Sequence, residues 1–115
     1  MMSMNIRVKQ SDEYTLVTLD GKNLTATFAS GFRENVCDKM SSFHTIIILD
    51  LTEVTFIDSS GLGAIVAAFK LLPPEGKLLL CGAAGNVRHL FKLTHLDSIF
   101  LFYPDVDTAI RTEIK

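Results

Sequence analysis

The run Thr45–Leu51, "TIIILDL", does most to narrow what this chain can fold into. It is β-branched, apolar almost throughout, and does not alternate. A strand built from it has two apolar faces and no face for water. Such strands sit inside a sheet with helices on each side, in the α/β class. "KLLLCG", Lys77–Gly82, is a second buried strand of the same kind.

The flanking segments supply the other layers. "NIRVKQ" and "YTLVTLDG" alternate apolar and polar residues around the polar "SDE". They predict a β-hairpin, Asn5–Lys9 with Tyr14–Leu19, closed by Gly21. From Ala26 the period changes to four: Phe28, Phe32, Val36 and Met40 predict an amphipathic helix. A second helix follows over Gly61–Leu72, with Leu62, Ile65, Val66 and Phe69 on one face, stopped by "LPPEG". Val87, Leu90 and Phe91 mark a short third helix. "SIFLFY" is a last strand. "DVDTAIRTEI" is a closing helix with Asp105 and Asp107 near its positive end. The order β-β-α-β-α-β-α-β-α predicts a mixed central sheet with an N-terminal hairpin, four amphipathic helices and right-handed crossovers. With 115 residues and no linker, residues 1–115 form one domain.

Composition closes off several functions. Eleven Lys and Arg against 13 Asp and Glu give a net charge of −2, with no basic run. That excludes nucleic acid and anionic membranes as main partners. No apolar stretch approaches the ~20 residues that span a bilayer, and the N-terminus has no signal-like run. The expectation is a cytoplasmic protein. Cys37 and Cys81 are not spaced as a redox or zinc pair and read as buried free thiols. His44, His89 and His95 have no metal-ligand spacing. No cofactor or metal is expected.

The chemistry concentrates at "TFIDSSGLGAIVAAF", Thr55–Phe69. Asp58, Ser59 and Ser60 at a strand-to-helix turn are good helix caps. One residue suffices for a cap, so at least one hydroxyl is expected to be free. The helix behind lacks a charged face, because Ala64, Ala67 and Ala68 take much of its remaining surface. Either neighbouring helices cover it or it offers an apolar patch to a partner. A nucleophilic serine needs a base, and the string lacks the glycine on both sides that marks a GxSxG elbow. Phosphoryl transfer to Asp58 needs Mg²⁺ and further carboxylates, and Asp12-Glu13 lies in the hairpin turn. A serine phosphorylated by another protein needs only exposure at a turn beside a binding surface.

"LDLTEVTFIDSSGLGAIVAAFK", with "NVRHLFKLTHL" and "IFLFYPDVDTAI", closely resembles the STAS domain of bacterial anti-sigma factor antagonists. The resemblance runs over Met4–Ile114. It implies the STAS fold and a protein that is not an enzyme. It implies binding to an anti-sigma factor that is also a GHKL-type serine kinase, which frees a sigma factor. Phosphorylation of the motif's first serine, here Ser59 (Ser60 the second choice), releases the kinase, and a PP2C-type phosphatase restores the active form. Asp58, Ser60, Gly61 and Leu62 match the motif's neighbours and are the implied contacts.

Two positions depart from the family pattern. Gly21-Lys22-Asn23-Leu24 lacks the acidic residue many relatives carry in the loop beside the serine turn, which leaves Asn23 and Leu24 as the contacts there. His95 stands where a glycine is usual. The alternative reading is a STAS scaffold or transport-complex subunit that docks a partner ATPase, with Ser59 only a cap. A monomer or a weak dimer fits either. Leu62→Asp divides two cases: an exposed face loses binding only, whereas a core position loses the fold.

Overall fold

A computed structural model of the chain describes residues 5–114. Seven strands form: β1 (Asn5–Gln10), β2 (Thr15–Asp20), β3 (Asn23–Leu24), β4 (Ile46–Asp50), β5 (Phe56–Ile57), β6 (Lys77–Cys81) and β7 (Leu101–Tyr103). Four helices join them: α1 (Ala26–Asn35), α2 (Ser59–Lys70), α3 (Gly85–Leu93) and α4 (Val106–Glu113). The main sheet has the order β1-β2-β4-β6-β7, antiparallel only between β1 and β2. The non-alternating strand β4 lies at its centre, as its two apolar faces require.

The two faces of β4 enter two separate cores. Ile47 and Leu49 pack with Phe28 and Phe32 of α1, Leu62 and Ile65 of α2, and Val87 and Phe91 of α3. Ile48 packs on the other side with Leu79, Cys81 and Ala109 of α4. Three helices therefore cover one face, and α4 alone covers part of the other. Glu113 fastens α4, accepting from Lys77 Nζ at 2.9 Å and from the Tyr103 hydroxyl.

Three details differ from the sequence expectation. The helix predicted through Met40 ends at Asn35, and Cys37–Ser42 continue as a 3-10 turn. Val36 is still buried and Met40 still packs on the core, so the four-residue spacing outlasts the α-helix that suggested it. The helix predicted from Gly61 begins at Ser59. The third difference is a second sheet of two short parallel strands, β3 and β5, each too short for alternation to reveal.

His95 has φ 61°, the one non-glycine residue with positive φ among those described. Its N–H donates to Lys92 O, and Leu96 N donates to Phe91 O at 2.8 Å. This is a Schellman ending of α3, which favours glycine at the left-handed position. His95→Gly is expected to stabilise the fold by about 0.5–1 kcal/mol, the strain relieved less the extra freedom of the unfolded chain. Thermal melting checks the sign.

Candidate functional site

The site is assembled by the short sheet. Thr55 N and Phe56 N both donate to Lys22 O, and Asp58 N donates to Leu24 O at 3.1 Å. These bonds lay the segment before α2 along Lys22–Leu24. Asn86 of α3 donates from Nδ2 to Thr55 O at 2.6 Å and ties a third segment to the same place. The Gly21–Leu24 loop thus lies beside the serine turn, where the resemblance puts it.

Asp58 is the N-cap of α2, and its Oδ1 accepts from Gly61 N at 3.0 Å. Its carbonyl accepts from Leu62 N at 2.9 Å. The carboxylate thus does the work a serine hydroxyl could have done. Ser59 and Ser60 are exposed, and among the described residues neither hydroxyl makes a hydrogen bond. The first turn of a helix also leaves N–H groups open, a favourable setting for an anion.

The other candidates divide by burial. Asn23 is exposed and paired with Phe56 across the short sheet. Leu24 is fully buried, and Leu62 is 8% exposed. Expected as contact residues, both instead have their side chains in the core, where they hold the turn from beneath. Ala68 is buried too, whereas Gly63 and Ala67 are exposed. The α2 surface is therefore covered in part by α1 and open along a thin line of small residues. Phe56 was not anticipated from the sequence: it is 48% exposed, two residues before the cap. Phe56 and Ile57 are adjacent apolar residues, and nothing in the sequence signals which of them points outward.

Gly61 is buried because β3 lies against it. A Cβ there would stand 2.3 Å from Leu24 O and 2.8 Å from Leu24 C, both backbone atoms that cannot swing aside. Gly61→Ala is expected to destabilise the protein by about 2 kcal/mol, overpacking outweighing the roughly 1 kcal/mol of helix propensity gained. Urea unfolding reads this, and amide shifts should concentrate at Asn23–Leu24.

Among the described residues no histidine or carboxylate is hydrogen-bonded to either serine hydroxyl. The His44 ring instead lies 2.7 Å from Ser11 O near the β1–β2 turn, at the opposite end of the sheet. Among the described residues no group of three or more His, Cys, Asp or Glu is placed to hold a metal. The buried Cys81 thiol is pushed up to about 12, first by burial and then by the charges of Asp50 and Asp105, so it stays protonated. Cys37 is half-buried rather than buried, and burial raises its pKa as well. No helix among the described residues is long and apolar enough to cross a membrane.

Comparison with known proteins agrees with this geometry. The profile of the STAS domain matches residues 5–109. An anti-sigma-B factor antagonist of Listeria monocytogenes is 30% identical over 99 residues, 85% of this chain and 87% of that protein. The crystal structure of an anti-sigma factor antagonist from Mycobacterium paratuberculosis superposes with a TM-score of 0.85 at 24% identity, covering 96% of this chain and 93% of that one. The Bacillus cell fate determinant SpoIIAA, solved in its phosphorylated form, superposes with a TM-score of 0.72 at 19% identity, covering 95% and 100%. The chain belongs to the STAS-domain family of anti-sigma factor antagonists.

Proposed function

We propose that this chain is the antagonist arm of a phosphorylation-controlled partner switch. In its unmodified form it binds an anti-sigma factor that is also a GHKL-type serine kinase, and so frees a sigma factor. The kinase transfers the γ-phosphoryl group of ATP to Ser59 Oγ. The Oγ–P bond forms as the bond to ADP breaks, and the hydroxyl proton leaves with a base of the kinase. A PP2C-type phosphatase hydrolyses the ester and resets the switch.

The observation that carries this reading is the division of labour at the turn. Asp58 caps α2, so Ser59 is exposed and its hydroxyl is unengaged. Ser60 shares that exposure and is the second choice. A phosphate there adds about −1.5 to −2 charges, which the helix N-terminus tolerates. The fold then stays intact while the contact surface changes. The phosphorylated state of the SpoIIAA neighbour gives a precedent within the same fold. Asn23, Ser60 and the exposed Phe56 meet the partner directly. Asp58, Gly61, Leu62 and Leu24 fix the shape it meets.

Intact-mass analysis with fragment mapping, on protein from the producing cells, tests the reading. A phosphate on Ser59 in part of the population is the expected result. Ser59→Ala should then hold the kinase constitutively. A uniformly unmodified chain across growth phases and stresses would reduce Ser59 to a bystander of the cap and favour the scaffold or transport-subunit role.

A further inference from the structure

Phe56 keeps an apolar ring half in water, and its backbone shows what holds it there. The peptide unit joining Thr55 to Phe56 has two polar ends. Its N–H, on Phe56, donates to Lys22 O at 3.0 Å. Its carbonyl, on Thr55, accepts from Asn86 Nδ2 at 2.6 Å. The bond is trans, so the two ends point in opposite directions, one toward β3 and one toward α3. A planar unit held at both ends cannot rock about the line between its Cα atoms. Two residues on, Asp58 N donates to Leu24 O at 3.1 Å, and Ile57 in between is buried. The Cα–Cβ direction of Phe56 is therefore fixed by ties before it and after it.

The ties differ in origin. Those to Lys22 and Leu24 belong to the short sheet, in which β5 pairs only with β3. On the α3 side β5 has no strand beside it, and a side chain takes that strand's place. Asn86 is well founded for this. It follows Gly85 at the start of α3 and precedes Val87, which is fully buried. A carbonyl only accepts, so the amide must turn its nitrogen toward Thr55. Among the described residues no other hydrogen bond joins α3 to Thr55–Asp58.

We infer that Asn86 is a positioning residue for Phe56, its amide holding the ring outward in the pose that the partner meets. The inference rests on the partner switch proposed above and adds a second helix to its control. Phe56 makes the contact, and Asn86 acts through it. Aromatic anchors carry a large share of the binding energy of an interface, and an anchor already in place loses little freedom on docking. Without the Asn86 bond the Thr55–Phe56 unit is held at one end only, and the ring gives up that preorganisation.

Backbone amide nitrogen relaxation of an isotope-labelled chain tests the positioning. In the wild type the order parameter at Phe56 should lie near the rigid value of about 0.85. Asn86→Asp removes the donor, keeps the shape and adds a charge that the first turn of α3 favours. Asn86→Ala removes the donor and adds no charge. In both, the order parameter at Phe56 should fall toward about 0.6, while that of α3 and the melting temperature hold. Calorimetry against the kinase retained by Ser59→Ala, purified from the producing cells, reads the consequence. Each Asn86 variant should bind about three- to tenfold more weakly, the scale of one lost hydrogen bond. On a Phe56→Ala background the same changes should weaken binding no further, because the ring they act through is gone. A Phe56 that stays rigid in both variants overturns the inference. So does a mobile Phe56 in the wild type, or an equal loss of binding with and without the ring. If no kinase is retained, it is the partner switch that fails, and the relaxation result alone decides whether Asn86 holds Phe56.

Discussion

Leu62→Asp is expected to leave no folded protein. Leu62 is 8% exposed and packs in the same core as Leu24, Phe28, Ile65 and Phe91. The substitution deletes the apolar contacts of a buried leucine, about 2–5 kcal/mol by itself. It also places a carboxylate where nothing described offers it a partner, adding several kcal/mol or forcing protonation. A domain of this size has about 5–15 kcal/mol in total, so the sum approaches the whole of it. Far-ultraviolet circular dichroism and urea unfolding check the outcome. Leu62→Met keeps volume and polarity and should cost under about 1.5 kcal/mol. If Leu62→Asp folds and merely binds less, the leucine is a surface contact and the packing described for α2 is wrong.

Ser59→Asp is the second large effect, and it falls on binding rather than folding. The side chain stands at the first position of α2, where an acidic group is favoured by the helix dipole. Melting temperature should therefore hold or rise slightly. At the proposed contact, the new charge would have to be desolvated against a surface that includes the apolar ring of Phe56. A loss of about 2–4 kcal/mol corresponds to roughly thirty- to thousand-fold weaker binding to the proposed kinase partner. Titration calorimetry against Ser59→Ala, with circular dichroism of both, separates the two effects. Equal affinities for Asp and Ala at this position would mean that charge at Ser59 is not the signal.

The sequence made the layers legible because they rest on periodicity. "TIIILDL" announced a central strand, and β4 is the third of five in the sheet. The change from period two to period four at Ala26 marked α1 correctly at its start. Its end was lost because Val36 and Met40 both still reach the core, although the α-helix stops at Asn35 and Val36 breaks the helical backbone before the 3-10 turn. At the site, the spare hydroxyl was legible from counting caps, and Asp58 does hold the cap. The depth of Leu24 and Leu62 was not legible. It depends on β3 crossing the start of α2, a contact between distant parts of the chain. The outward turn of Phe56 depends on the same pairing. His95 was legible in a different way: the family pattern marked it as out of place, and its positive φ shows the backbone keeping a conformation suited to glycine.

The pairing of Lys22–Leu24 with Thr55–Asp58 bears on when the serine turn comes into being. The hairpin β1–β2 closes locally, whereas the bond from Thr55 Oγ1 to Lys22 O spans 33 residues. Closing such a loop is entropically unfavourable until the strands and helices between its ends have condensed. The turn around Ser59 is thus completed only when most of the domain has formed. A nascent or partly unfolded chain carries Ser59 in its covalent sequence but not the three-dimensional outline of the turn. A kinase of the proposed kind that reads the outline would ignore immature chains, and the proposed mark would also certify that the molecule bearing it had finished folding.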